Sequence, residues 1–257
     1  MSTVRAFGPD DGALAPPLGR TLTVAGARTC VIVPAFQAAR SIRSVLEELK
    51  ETLECDPRAV IVVDDGSTDG TADRAREAGV TVVVSSQNRG KGAALVRGLE
   101  EAHALGFRVA LTVDADGQHP AASAAELLKA SDDPRALVLG IRDLARDGAP
   151  RKNRFSNGIS NFFLSLFTGT PLQDTQCGLR RYPVEETLAL QAHASGYAFE
   201  AEIILRAIAK KLPVTEHGVH VYYPPETERV THFDSVKDPM RIIVTVVHTL
   251  YDLSRTR

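Results

Sequence analysis

Two aspartates one residue apart, Asp114 and Asp116, stand in Asp114-Ala115-Asp116-Gly117-Gln118-His119-Pro120, directly after the apolar run Val109–Val113. Carboxylates so spaced at a strand end can hold a hard divalent cation, Mg²⁺ or Mn²⁺, with the Gln118 amide oxygen as a third ligand. Such ions keep few protein ligands and commonly bridge substrate phosphates. A lone Asp-x-Asp is common in loops and helix caps. What favours the ligand reading here is a second acidic turn, Asp64-Asp65-Gly66-Ser67-Thr68-Asp69-Gly70-Thr71, after the apolar run Ala59–Val63. Asp64 and Asp65 can accept hydrogen bonds from a nucleobase or ribose, whereas Asp69 and Thr71 read as turn and cap residues.

Positioning these groups requires strands that end beside one another. Cys30–Val33 is a short β-branched run stopped by Pro34, and Ser41 caps a helix with Ile42, Val45, Leu46 and Leu49 on one face. After Ala59–Val63 a helix starts beyond Gly70 and ends at Gly79. Further strands are expected at Val80–Val84, Arg108–Val113 and Leu137–Leu139, with helices around Ala93–Leu105 and Ala122–Ala130 between them. Strands that are apolar throughout and alternate with helices imply an α/β fold with a mostly parallel sheet covered on both faces. In such sheets ligands bind beyond the carboxyl ends of the strands. The polar segments Pro34–Gln37, Asp64-Asp65, Asn88–Lys91 and Asp114–His119 all fall there, outlining a site for a polar, phosphorylated ligand.

The flanks differ. Residues 1–28 are rich in Gly, Pro and Ala without a period and read as a flexible tail; 29–235 form the main folded domain; 236–257 carry an amphipathic helix with Ile242, Ile243, Val246, Val247 and Leu250. The stretch Asn153–Phe167 holds four of the chain's nine phenylalanines and must pack against something, either core or lipid.

Composition excludes several classes. Thirty Lys+Arg against 32 Asp+Glu leave a net charge of −2, without the basic excess of a phosphate-gripping nucleic-acid binder. Three cysteines, Cys30, Cys55 and Cys177, form no C-x-x-C pair and leave one unpaired, as expected in a reducing cytosol. No apolar run approaches the ~20 residues of a membrane-spanning helix, and Gly8-Pro9-Asp10-Asp11-Gly12 interrupts any signal-peptide core. The expected location is cytoplasmic, peripheral on the inner face of the membrane if the Phe-rich and C-terminal helices meet lipid.

The ordered series Val33-Pro34-Ala35-Phe36, Val63-Asp64-Asp65-Gly66-Ser67, Asn88-Arg89-Gly90-Lys91-Gly92 and Asp114–Pro120 resembles the inverting family 2 glycosyltransferases. The likeness is strongest to the dolichol-phosphate mannose synthase and polyprenyl-phosphate glycosyltransferase group. It continues through Gly140-Ile141-Arg142, Asn153–Asn157, Asp174–Tyr182 and Gly196–Glu202, covering about residues 30 to 235. The resemblance implies a GT-A nucleotide-diphospho-sugar transferase fold. It places Pro34, Phe36 and Asp64 or Asp65 at the nucleoside, Lys91 near base or phosphates, and Asp114, Asp116 and Gln118 on the metal. Arg142 and Arg154 would face phosphates of donor or acceptor, Asp174 would lie near the acceptor, and Arg229 and His232 would help bind the lipid phosphate. Glu200 and Glu202 sit in a motif open to a structural or a functional role. The first motif departs from the family's Pro-x-Tyr-Asn-Glu, since Phe36-Gln37-Ala38 stands in its place.

The implied reaction moves a sugar from a GDP- or UDP-linked donor to a polyprenyl-phosphate or other lipid-linked acceptor. An anionic phosphate acceptor needs no strong base, whereas a hydroxyl acceptor requires a carboxylate such as Asp174 to take its proton. A degenerate, non-catalytic domain is the contrasting reading. A dehydrogenase is excluded, because no G-x-G-x-x-G follows Val31-Ile32-Val33.

Overall fold

The computed structural model describes residues 19–193, 196, 198–223 and 237–255. In chain order these form β1 (Leu22–Val24), β2 (Ala27–Ala35), α1 (Ile42–Leu53), β3 (Val60–Asp64), α2 (Thr71–Glu77), β4 (Thr81–Val84), α3 (Lys91–Ala104), β5 (Val109–Thr112) and α4 (Ala121–Leu128). The second half adds β6 (Leu137–Arg142), α5 (Arg151–Thr168), β7 (Arg180–Pro183), α6 (Val184–Ala189), α7 (Ala198–Ala209), β8 (Val214–Val219) and α8 (Lys237–Arg255).

The strands make one sheet in the order β4-β3-β2-β5-β7-β6-β8, with β1 paired to the start of β2. β4, β3, β2 and β5 run parallel; β7 is antiparallel to both neighbours; β8 is parallel to β6. Side chains alternate across the sheet with the period of a strand. Along β2, Val31 and Val33 enter the layer under α1 and α4, while Cys30 and Ile32 enter the opposite layer under α3 and α7. Helix α3 lies so close to β2 that a Cβ at Gly98 would stand 2.6 Å from the Ile32 Cγ2. All three cysteines are buried and free.

Two expectations change. The first strand is not stopped by Pro34: β2 continues to Ala35, with Pro34 beside Val63 of β3. Ala35 accepts from Asp65 N–H on the β3 side, so the Pro34 nitrogen faces the β5 side, where β5 has already ended at Thr112. The missing donor costs no ladder bond there. Residues 22–28 are not tail: β1 and the start of β2 form a hairpin whose turn residues Ala25 and Gly26 both have positive φ. The Phe-rich segment is a helix, α5, that buries Leu164 but leaves Phe155, Phe162 and Phe167 exposed. No helix among the described residues is long and apolar enough to cross a membrane.

Candidate functional site

The carboxyl ends of β2, β3 and β5 meet as the parallel register requires. The β2–α1 loop is stitched to the acidic turn after β3. Gln37 N–H donates to Ser67 Oγ at 2.9 Å, Ala38 N–H to Thr71 Oγ1 at 2.9 Å, and Ala39 N–H to Asp69 Oδ2 at 3.0 Å. Asp69 also accepts from the N–H and hydroxyl of Thr71, so the two residues close the turn, while the cap position of α2 is Gly70, with no side-chain cap bond. Asp64 and Asp65 are buried. Asp64 accepts from Ser67 N–H at 2.9 Å, closing its own turn. Asp65 reaches across to the loop before α3 and accepts from Arg89 N–H at 3.0 Å and Gly90 N–H at 2.6 Å. Gly66 is required between them, because at φ +79° a Cβ would stand 2.7 Å from the Gln87 carbonyl carbon. Phe36 is half-buried on the same rim. A hollow of about 470 Å³ opens beside Asp65, walled by Ser85, Arg89, Val96, Arg97 and His193 among others.

Asp65 thus fixes the start of α3, and the first residue of that helix is Lys91. Its ammonium lies 2.7 Å from Asp114 Oδ1 and 3.0 Å from Glu200 Oε1, the latter from the first turn of α7. Gly178 passes directly beneath this pair, for a Cβ there would sit 2.2 Å from Asp114 Oδ2 and 2.6 Å from Lys91 Nζ. Burial by itself would raise the Asp114 pKa, but Lys91 and the surrounding positive charge hold it below the usual carboxylate value. Asp116 differs. It opens to the cleft mouth and accepts only from Gln118 N–H at 2.9 Å, forming no ion pair among the described residues. Protein packed around its other sides, and then the negative charge of Asp114, push its pKa up to about 6. Gln118 is half-buried, its carbonyl accepting from Tyr222 N–H at 2.8 Å. Burial brings the His119 pKa down to about 4, so the ring 3.9 Å from Asp114 is neutral at pH 7.

A second ion pair stands beside the first. Arg142, the last residue of β6, grips Asp174 with Nε at 2.7 Å and Nη2 at 2.9 Å. Asp174 is buried and also accepts from the backbone N–H groups of Arg142 and Gln176, both at 3.1 Å. Four donors fill the acceptor sites of a carboxylate, so Asp174 stands as an anchor for Arg142. The remaining edge of the guanidinium, Nη1, meets the Tyr223 hydroxyl at 3.4 Å. Arg154 is exposed on the first turn of α5 and forms no ion pair among the described residues, and Arg229 and His232 lie outside the described residues.

Pro34, Phe36, Asp64 and Asp65 therefore share one end of the cleft, Lys91, Asp114, Asp116 and Gln118 its middle, and Arg142 with Asp174 the other end. Reading the residues alone gave no role to Gly178, Arg180 or Tyr223 and left Glu200 open. Arg180 is buried completely and donates to the carbonyls of Cys177, Thr175 and Glu200 at 2.8–2.9 Å, locking the loop under Lys91 to α7. A signal for Glu200 was present in the sequence: Lys91 opens a helix, the end that disfavours a cation, and so calls for a carboxylate partner.

Among the described residues no group of three or more His, Cys, Asp or Glu is placed to hold a metal. The donor set nevertheless suits one whose remaining ligands come from substrate. Asp116 is an open, uncompensated carboxylate, and Asp114 already holds a cation, the Lys91 ammonium, in stand-in.

Residues 30–188 match the model of glycosyl transferase family 2. The chain is 29% identical to glycosyltransferase AglJ of Haloferax volcanii over 81% of this chain and 67% of that one. It is 27% identical to the UDP-N-acetylglucosamine–dolichyl-phosphate N-acetylglucosaminyltransferase of Methanococcus voltae, over 75% and 85%. With the polyprenol monophosphomannose synthase of Mycolicibacterium smegmatis it shares 28% identity, over 74% and 75%. Its fold is similar to glucosyl-3-phosphoglycerate synthase of Mycobacterium tuberculosis in complex with Mn²⁺ and UDP-glucose. There the TM-score is 0.68 at 22% identity, covering 88% of this chain and 79% of that one. The α/β sheet with its acidic strand ends is thus a GT-A fold, and the chain belongs to glycosyl transferase family 2.

Proposed function

We propose that this glycosyltransferase moves a sugar from a nucleotide-diphosphate donor to a polyprenyl phosphate, with inversion at the anomeric carbon. One observation carries the choice of acceptor. Asp174, the carboxylate expected near it, is saturated by four donors and buried, and has no lone pair left for a hydroxyl proton. An acceptor that arrives already anionic needs no such base. One relative named for transfer from UDP-N-acetylglucosamine to dolichyl phosphate and one named for making polyprenol monophosphomannose support the same reading.

In this reading the nucleoside lies at Phe36, Asp64 and Asp65, with Pro34 shaping the strand end and the hollow beside Asp65 giving room. Asp114, Asp116 and the Gln118 amide hold Mg²⁺ or Mn²⁺. When bound, the cation supplies positive charge to the departing diphosphate. Lys91 reaches toward the same phosphates. Arg142, its plane fixed by Asp174, presents Nη1 to the acceptor phosphate beside Tyr223. Arg229, His232 and the exposed Arg154 are further candidates for holding the lipid phosphate.

The acceptor's lipid tail points to a membrane surface. On α5, Phe155, Phe162 and Leu166 share one stripe and are 73%, 63% and 62% exposed. On α8, which packs on α5, Val244, Val247 and Tyr251 form another. Exposed Arg151, Lys152 and Arg154 precede the α5 stripe, matching anionic headgroups. We place the protein peripherally on the inner face of the cytoplasmic membrane through these two helices.

The test is turnover of UDP- and GDP-sugars with a short polyprenyl phosphate and Mn²⁺ or Mg²⁺. Asp116→Asn is expected to lower metal-dependent turnover by about 10²–10³-fold and to abolish a metal-dependent melting shift with the nucleotide. Asp116→Asn turning over at the wild-type rate would refute the reading.

A further inference from the structure

The Lys91 ammonium is in an expensive place. It occupies the first position of α3, where the helix dipole opposes a cation, and the first turn of that helix carries no acidic residue. Two carboxylates offset this, Asp114 at 2.7 Å and Glu200 at 3.0 Å, and they are unlike each other. Asp114 is partly open to the cleft, its side chain 24% exposed, whereas that of Glu200 is 1% exposed. Among the described residues the ammonium is the only group that meets the Glu200 carboxylate at ion-pair distance. Glu200 is itself immobile, since its backbone carbonyl is bound by the buried Arg180, which also ties down the loop carrying Gly178. A buried carboxylate that lost its one ion-pair partner would be strongly destabilising, even with the Arg180 guanidinium acting on it from the backbone side. Lys91 can therefore leave Asp114 but not Glu200.

We propose that Glu200 is a positioning residue that retains Lys91 when a divalent cation takes over Asp114: in the metal-free protein Lys91 is the stand-in cation on Asp114, and Glu200 is the anchor on which it swings away. The inference rests on the reading of Asp114 and Asp116 as metal ligands. It follows that the Lys91–Asp114 pair competes with the metal, and that Glu200 sets the strength of that competition. Removing Glu200's charge takes away the counter-charge that draws Lys91 from Asp114. Removing both charges frees Asp114 altogether. Held on Glu200, the displaced ammonium remains beside the cleft, where the donor's phosphates bring new negative charge.

The test uses Mn²⁺ alone, with no nucleotide, titrated into the full-length protein while free Mn²⁺ is read by electron paramagnetic resonance. Wild type, Glu200→Gln and the double variant Lys91→Met/Glu200→Gln are compared, with melting temperatures confirming that each folds. Glu200→Gln is expected to bind Mn²⁺ about tenfold more weakly and the double variant about tenfold more tightly than wild type, the scale of one nearby unit charge in a partly solvated site. A general field effect predicts otherwise. The double variant loses one negative and one positive charge together, and would return to the wild-type affinity. That result, or Glu200→Gln binding as tightly as wild type, overturns the inference while leaving the metal site standing. Absence of Mn²⁺ binding in all three proteins overturns both.

Discussion

Strand β7 buries Arg180 and Arg181 completely, whereas helix α5, just before it in the chain, leaves Phe155 73%, Phe162 63% and Phe167 43% exposed. The two segments invert the usual sorting of side chains in opposite directions, for different reasons. In β7 the charges are inside because backbone carbonyls await them. Arg180 serves Cys177, Thr175 and Glu200, and Arg181 serves Leu128, Ser131 and Asp133 at 2.6–2.9 Å, closing the C-terminal end of α4 where a cation is favoured. Each of these contacts ends on a backbone carbonyl oxygen, and of the six guanidinium nitrogens only Arg181 Nε has no partner among the described residues. On α5 no such accounting closes, because Phe155, Phe162 and Phe167 stay exposed although Phe163 packs edge-on against Phe162 at 5.5 Å and stacks on Phe167 at 6.3 Å. A buried charge with its acceptors is a finished structure. An exposed aromatic stripe is half of an interface.

The comparison breaks most sharply at Arg180. Arg180→Met keeps the bulk of the side chain but takes the charged donor from three buried carbonyls, at about 1–3 kcal/mol each. A loss of about 3–5 kcal/mol is expected, read by calorimetry as a fall in melting temperature of about 10 °C. A fall of less than about 3 °C would mean that water replaces the guanidinium and that the buried arginines are not the lock described.

Two glycines sharpen the contrast at smaller scale. Gly178→Ala drives a methyl group to 2.2 Å from Asp114 Oδ2, so the Lys91–Asp114 pair must move. Displacements of about 1 Å at such groups cost about 10²-fold in turnover. On α5, a Cβ at Gly158 meets nothing within 4 Å. Gly158→Ala is expected to leave turnover unchanged and to stabilise the helix by up to about 1 kcal/mol. Steady-state kinetics on both variants decide the matter: equal turnover in the two would remove Gly178 from the site.

The same contrast explains what could be read from residues alone. β2, β3, β5 and α1 announce themselves because apolar positions and period agree, and the acidic turns after them fall at strand ends by topology. Asp114 and Asp116 were legible for that reason. β7 was not, since Arg180-Arg181-Tyr182-Pro183 has no apolar alternation and its burial depends on carbonyls supplied by residues 128–133, 175–177 and 200. The role expected of Asp174 shifted for a similar reason: its residue type permits a base, but only the position of Arg142, 32 residues earlier, reveals that its oxygens are already taken. β8 was also missed; Val214–Val219 carries Glu216 and His217 at a sheet edge, where packing imposes little pattern.

The smallest expected effect on folding is on α5, and it is the most informative about the interface. Phe155→Ser together with Phe162→Ser removes rings that touch little in the folded chain, so the melting temperature should shift by no more than surface substitutions do, about 0.5 kcal/mol each. If the stripe enters a bilayer, each ring contributes about 1.5–3 kcal/mol of apolar burial there, and the double variant should lose about 10²-fold or more in partition to anionic vesicles by flotation. Turnover of a water-soluble short-chain acceptor should survive, since neither ring is among the residues assigned to donor or acceptor. Two outcomes would overturn the lipid reading. Vesicle binding unchanged by the substitutions would place the contact elsewhere, and a large fall in melting temperature would show that the rings are core residues after all. The opposite pairing, stability kept and flotation lost, is what separates α5 from β7, where every substitution is felt first in the fold.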